Sequence, residues 1–150
     1  MLSVSQLYKE LDSMFANHAS AQEIEKYLLN ALNQSQAKAN QEESNQESSQ
    51  EEANAQALQL SVLNELMGFY RSRGEHAKNK PIIDNALDLA KKMDLVGSEA
   101  GTTTLINAAT SLRAAGSYKR ATEIYSQALS LIHISEPTRL RQLSRMPSSA

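Results

Sequence analysis

The sequence predicts an all-α protein built from stacked antiparallel helical hairpins. One observation is an internal repeat: shifting the chain by forty-two residues places Gly74 on Gly116 and aligns apolar and small residues on both sides. The other is that these positions step by three, four and seven, the spacing of one face of an α-helix. Each copy therefore consists of two amphipathic helices around a glycine turn, and such hairpins bury their apolar faces only by stacking into a solenoid with a concave surface. The aligned pairs are Leu63 with Leu105, Tyr70 with Leu112, Arg71 with Arg113, Ile82 with Ile124, Ala86 with Ala128 and Leu87 with Leu129.

Six helical segments are expected in chain order. The first hairpin comprises residues 3–16 and 21–38, and the second comprises residues 55–73 and 79–93. The late start of the second hairpin's second helix is predicted because proline, here Pro81, is tolerated only in the first turn of a helix. Gly97 is predicted to end this hairpin and Ser98 to cap the next helix, residues 99–115, after which the last helix begins at Tyr118. The inward-facing residues of the first hairpin are predicted to be Leu7, Leu11, Phe15, Ile24, Leu28, Leu29 and Leu32.

An acidic segment separates the first two hairpins. Residues 41–54 read QEESNQESSQEEAN, with five glutamates and no basic or large apolar side chain. Such a composition buries too little surface to offset its ordering entropy, so a mobile loop or a frayed helix end is expected. The alternative is that this tract binds a basic partner.

The repeated hairpins resemble a tetratricopeptide repeat. The second unit matches that pattern at Leu63, Leu66, Tyr70, Gly74 and Ala86, but Met67 and Asn79 stand where small residues are usual; the third matches at Leu105, Ala108, Ala109, Leu112, Gly116, Tyr118, Ala121, Tyr125 and Ala128. The ordinary repeat has about 34 residues. The longer period is similar to the kinesin-light-chain-like variant found in many bacterial proteins. The resemblance implies a short right-handed superhelix that binds a protein or peptide with the first helix of each hairpin.

The resemblance also implies which residues would line the concave surface. They are Ser61, Asn64, Glu65, Gly68, Arg71 and Ser72 in the second unit and Thr103, Ile106, Asn107, Thr110 and Arg113 in the third. We select as candidate partner-binding residues Asn64, Arg71, Asn107, Thr110 and Arg113, because a carboxamide can satisfy a peptide group and a guanidinium can bind a carboxylate. Arg71 and Arg113 would form two parallel positive positions along one groove, for an acidic or C-terminal peptide. Alternatively, each arginine bonds to carbonyls near the end of its own helix.

Catalytic chemistry has little support in the sequence. The chain has no cysteine, and His18 and His76 fall in predicted inter-helix turns. Metal-ligand spacing, phosphate-binding glycine loops and nucleophile motifs are all missing from the sequence. We therefore expect no enzymatic activity, no cofactor and no metal site.

The last twenty-two residues resemble translated sequencing-adapter DNA. Residues 129–139, LSLIHISEPTR, correspond to a transposase-type library adapter, and residues 144–150, SRMPSSA, to the flow-cell adapter that follows it. Residues 140–143 would then span the sample index. The natural fragment, residues 1–128, is expected to stop within the last helix, with further repeats in the intact gene, and the chain beyond about Ser135 is expected to be unstructured. The alternative is a genuine basic tail.

The net charge and hydropathy of the chain limit the classes of partner that it is expected to bind. Residues 1–128 contain 12 basic and 16 acidic residues, a net charge of about −4, which disfavours binding to nucleic-acid phosphates. A signal peptide and a membrane-spanning segment are not predicted, so the cytoplasm is the expected location. The expected function is that of a protein- or peptide-binding scaffold. The alternative is the sensor or interaction half of a larger bacterial regulator or enzyme whose effector domain follows residue 128.

Overall fold

The computed structural model describes residues 2–42 and 49–144, with side-chain surroundings for residues 2–40 and 49–131. The described part is helical, without a β-strand, which confirms the all-α class. In chain order its helices are α1 (Val4–Ala16), α2 (Ala21–Glu42), α3 (Ser49–Ser72), α4 (His76–Lys92), α5 (Glu99–Ala114) and α6 (Tyr118–Ser144). Among the described residues, we find no helix with both the length and the apolar character needed to cross a membrane.

The helices stack as hairpins. Helix α3 packs on α4, α5 packs on α6, and α4 packs on α5, while α2 lies mainly against α3 instead of α1. The first helices of the hairpins also contact one another, α1 with α3 and α3 with α5. Within the described residues, the backbones of α2, α4 and α6 approach one another less closely, and long side chains connect α4 to α2 and to α6. The layer formed by α1, α3 and α5 is therefore the inner side of the stack.

Several residue pairs that the repeat aligns are buried to a similar extent. Tyr70 and Leu112 are 3% and 5% exposed, and Ala86 and Ala128 are 0% and 2% exposed. The repeat read from the sequence therefore corresponds to a structural repeat. In the first hairpin, however, Phe15 is 57% exposed, so its predicted inward position is wrong. The buried stripe of α1 ends one turn earlier, at Leu11.

The two aligned glycines make the same turn. Gly74 and Gly116 have φ values of 68° and 85°, in the left-handed region that glycine adopts without steric penalty. After Gly74, the Glu75 N–H donates to the Tyr70 carbonyl at 3.0 Å; after Gly116, the Ser117 N–H donates to Leu112 at 2.8 Å. These six-to-one bonds define a Schellman motif at the end of each first helix.

Helix α4 ends in the same motif, but without a glycine. Asp94 has a φ of 55°, and the Leu95 N–H donates to the Ala90 carbonyl at 3.1 Å. Gly97, predicted to end this helix, instead lies in the following loop with a φ of 86°. Ser98 caps α5 as predicted, because its Oγ accepts a hydrogen bond from the Gly101 N–H at 3.0 Å.

Helix α4 also begins earlier than predicted. It starts at His76, not near Asn79, so that Pro81 lies inside it. Pro81 is exposed and removes one backbone donor, which would have bonded to the carbonyl of Ala77, itself exposed. Because water can reach this face, the helix tolerates the missing bond.

Helices α2, α3 and α6 extend into segments that lie outside the helices predicted from the sequence. Helix α2 continues to Glu42 and α3 begins at Ser49, so residues 41–42 and 49–54 of the acidic segment are helix ends and not a loop. Residues 43–48 lie outside the described part. Glutamate and glutamine form helices readily, and a helix N-terminus favours Glu51 and Glu52 in its first turn. Helix α6 likewise runs to Ser144, past the end near Ser135 that the sequence predicts; residues 145–150 lie outside the described part.

The two residues that depart from the repeat pattern in the second unit meet each other. Asn79 is 1% exposed on α4, and its Nδ2 donates to the backbone carbonyl of Met67 on α3 at 3.1 Å. The Oδ1 of Asn79 is buried without a hydrogen-bond partner. In the second unit, therefore, a polar contact joins the two helices where they cross. In the third unit the corresponding residues are the buried alanines Ala109 and Ala121.

Candidate functional site

A groove of about 660 Å³ lies on the inner side of the stack. Helices α1, α3 and α5 form its walls, and the segment that joins α4 to α5 closes one end. Its apolar lining consists of Val4, Ala57, Leu60, Met93, Leu95 and Ala100. Its polar lining consists of Tyr8, Ser61, Asn64, Glu65, Glu99, Thr103 and Asn107. Three different hairpins thus contribute to a single concave surface.

A chain of side-chain hydrogen bonds joins α3 to α5 along this groove. Asn64 Nδ2 donates to Thr104 Oγ1 at 3.0 Å and to the Leu60 carbonyl at 3.1 Å. Asn107 Nδ2 donates in turn to Asn64 Oδ1 at 2.9 Å. Because Thr104 is fully buried, the amide of Asn64 is held in one orientation. Asn64 and Asn107, both selected from the sequence, therefore lie together in the groove wall.

Arg71 also connects α3 to α5 through hydrogen bonds. Its Nη1 donates to Ser111 Oγ at 3.1 Å and to the Asn107 carbonyl at 3.4 Å. Ser111 is fully buried, and Arg71 itself is half-buried. The guanidinium thus bonds to the neighbouring hairpin, not to the end of its own helix, and it is not part of the groove lining.

The remaining candidates lie away from the groove. Thr110 Oγ1 is 2.8 Å from the Tyr125 hydroxyl, a hydrogen bond that joins α5 to α6. Arg113 is exposed in the last turn of α5. Arg71 and Arg113 therefore occupy equivalent repeat positions in different surroundings. The third hairpin covers Arg71, whereas within the described residues no further hairpin covers Arg113. Their roles in partner binding stay predictions.

Among the residues that line the groove, Glu65 has an unusual electrostatic environment. It is half-buried on α3, and desolvation by burial, followed by the negative charge of Asp12, raises the pKa of its carboxyl above the ordinary value. Among the described residues we find no basic side chain paired with it. The sequence placed Glu65 on the concave surface but did not select it, and it missed Tyr8 and Glu99, because inter-helix register decides which of them face the groove.

Some other titratable groups in the described part have structural partners. The Tyr27 hydroxyl bonds to Glu10, and burial and that carboxylate raise the pKa of Tyr27. Arg120 Nη2 lies 2.7 Å from Asp84 Oδ1 and joins α6 to α4. Within the described residues we also find no group of three or more His, Cys, Asp or Glu side chains placed to hold a metal ion.

None of the family models, curated proteins and solved structures compared with this chain matches it. The groove and its chemistry therefore carry the functional proposal.

Proposed function

We propose that the chain is a protein- or peptide-binding scaffold of the tetratricopeptide-like, long-repeat type, and that its partner binds in the groove between α1, α3 and α5. The observation that carries this proposal is the concave, mixed polar and apolar surface to which three hairpins contribute. A volume of about 660 Å³ falls within the roughly 300–1,000 Å³ of typical ligand pockets. Apolar side chains at its base and polar groups at its wall suit an extended peptide.

The wall is organised for recognition because its polar groups are already oriented. Asn64 and Asn107 hold each other through a hydrogen bond of 2.9 Å, so little rotamer entropy is lost when a partner contacts them. Leu60, at the base, is 4% exposed and belongs to the core. The groove is therefore supported by packed helices and does not depend on loops.

The test is selection of peptides from a random display library against the full chain, with the binding surface mapped by amide chemical shifts. We expect the largest shifts at groove residues such as Ser61, Thr103 and Asn107. Selected peptides that shift only the outer face of α4 and α6 would contradict the proposal, as would failure to enrich any peptide.

A second proposal concerns the open end of the stack. Ile106 is 40% exposed on α5, the first helix of the last hairpin. The exposed apolar surface favours a further element packing there. It supports the alternative that residues 1–128 are the sensor or interaction half of a larger bacterial regulator or enzyme. The resemblance of residues 129–150 to adapter DNA is a separate argument for the same proposal.

Amplification of the locus from independently prepared DNA tests this second proposal. We expect the reading frame to depart from the present sequence after about residue 128 and to continue into further helical hairpins. A frame that retains residues 129–150 and then stops would overturn it.

A further inference from the structure

The charged residues that line the groove are all acidic. Glu65 lies in its α3 wall and Glu99 begins its α5 wall. Asp12, on α1, lies close enough to Glu65 for its negative charge to act on that carboxyl. Lysine and arginine are not found among the lining residues of the described chain.

Neither of the two aligned arginines reverses this charge. The Arg71 guanidinium bonds to Ser111 Oγ and to the Asn107 carbonyl, so its donors are directed into the seam between α3 and α5. Arg113 is exposed near the end of α5 and is not among the lining residues. A partner in the groove therefore meets carboxylates and not guanidinium groups.

An aromatic ring completes the wall. Tyr8, on α1, is 43% exposed and lines the groove together with Glu65. The face of a tyrosine ring attracts an ammonium or guanidinium group, and the attraction is stronger where water is partly excluded. A ring and carboxylates in one concavity form a favourable environment for a cationic side chain.

We infer that the groove binds a basic segment of a partner protein, with a lysine or arginine side chain placed between Glu65 and the Tyr8 ring. This inference rests on the proposed function and names the chemical class of its partner. The basic side chain neutralises Glu65, while the aliphatic part of that side chain packs on the apolar base of the groove. Charge complementarity of this kind sets both specificity and association rate.

Burial of Glu65 gives a physical reason for this choice of partner. The half-buried carboxylate has no cationic partner within the described residues and lies near a like charge, Asp12, so its position lowers stability in the free protein. A bound cation removes this penalty, because an opposite charge at close range stabilises the ionised carboxylate. The Glu65 carboxylate therefore lacks a counter-charge until a basic group enters the groove.

The test uses three fluorescent peptides that are identical except at their charged positions, which hold lysine, glutamine or glutamate. Binding to the full chain is followed by fluorescence anisotropy. We expect the lysine peptide to bind most tightly and Glu65→Gln to weaken it about 10- to 100-fold, the loss of one charge-assisted hydrogen bond. Glu123→Gln makes the same charge change on the exposed face of α6 and should alter affinity less than about twofold.

The ring is tested separately. Tyr8→Ala should weaken the lysine peptide by about 2- to 5-fold, whereas Tyr8→Phe keeps the ring face and should bind like the unaltered chain. Equal loss in both variants would show that the hydroxyl, not the ring, makes the contact, and would overturn the role assigned to Tyr8.

The outcomes separate this inference from the proposed function. If the glutamine or glutamate peptide binds as tightly as the lysine peptide and shifts the amides of Ser61 and Asn107, the groove is a peptide site but the inference is overturned. Equal weakening by Glu65→Gln and Glu123→Gln would also overturn it, because attraction would then be nonspecific. If no peptide shifts groove amides, both proposals fail.

Discussion

At the residue scale, Gly101 is required by a close approach between backbone segments. It lies buried in the first turn of α5, and a Cβ atom at this position would be 2.0 Å from the carbonyl oxygen of Leu95. The contact arises because the loop after α4 folds back on α5. Gly68 differs, since the nearest atom to its Cβ position is Arg71 Nη2 at 3.9 Å, an ordinary contact distance.

These two glycines form a matched pair for mutation. Gly101→Ala should lower the free energy of unfolding by about 2 kcal/mol, since the loop must move to relieve the overlap. Gly68→Ala should raise it by about 0.5–1 kcal/mol, because alanine loses less backbone entropy in a helix interior. Urea unfolding measures both, and similar effects from the two substitutions would contradict the close approach.

The Glu65 carboxyl gives a pH-dependent prediction. Its folded-state pKa is raised above 4.5, so the unfolded chain releases this proton at lower pH than the folded protein. Its contribution to stability is therefore lost as pH rises from about 4.5 through the folded pKa. Glu65→Gln should be more stable than the unaltered chain at neutral pH, and the difference should shrink as pH falls through the folded pKa and level off below about pH 4.5.

Thermal unfolding of the unaltered chain and of Glu65→Gln, from below about pH 4.5 to neutral pH, measures this difference in stability. The contributions of the other carboxylates are the same in both proteins and cancel in the difference. In an Asp12→Asn background the stabilising effect of Glu65→Gln should be smaller, because one cause of the raised pKa is gone. A constant difference at every pH would show that Glu65 titrates normally.

At the element scale, one turn motif is repeated with and without glycine. Gly74 and Gly116 have positive φ values, and no atom lies within 4 Å of the place that a Cβ would occupy, so substitution there affects only backbone conformation. His18, after α1, adopts a φ of 56° with a full side chain. The turn after α1 therefore carries a conformational cost that the turns at Gly74 and Gly116 avoid.

This difference predicts opposite effects of substitution. Gly74→Ala and Gly116→Ala should each lower stability by about 1–2 kcal/mol, whereas His18→Gly should raise it by up to about 1 kcal/mol. His18→Ala keeps the left-handed strain and serves as the control for loss of the imidazole. Chemical unfolding of the four variants measures these effects, and a gain from His18→Ala as large as that from His18→Gly would show that the imidazole itself was unfavourable.

At the scale of the whole molecule, polar bonds between α3 and α5 help hold the second and third hairpins together. Arg71 satisfies the hydroxyl of fully buried Ser111, while Arg113, its repeat equivalent, is exposed. Arg71→Met keeps the aliphatic length but removes the donors, and should lower stability by about 1–3 kcal/mol. Arg113→Met should stay within about 0.5 kcal/mol.

A double-mutant cycle on Arg71 and Ser111 checks that the loss belongs to this contact. Once Ser111→Ala has been introduced, Arg71→Met should cost less than it does alone, because the shared hydrogen bond is already absent. Purely additive effects, measured by urea unfolding, would show that Arg71 stabilises the stack through other contacts.

The sequence by itself determined the all-α class, the repeated hairpins and several of the buried positions. The spacing of Tyr70 and Ala86 in one unit and of Leu112 and Ala128 in the next identified buried positions correctly, since helical periodicity is a local property of the chain. Ser98 likewise identified a helix start, because its capping bond closes within three residues.

The tertiary structure decided which polar residues meet across helices. Arg71 and Arg113 are equivalent in the sequence, yet only Arg71 has a hairpin beyond it and bonds to that hairpin. Asn64 and Asn107 face each other, and Glu65 faces the groove, because the register of α3 against α5 and α1 places them there. Local periodicity indicates the face on which a residue lies; only the packing of distant segments decides its neighbour, its desolvation and its charge environment.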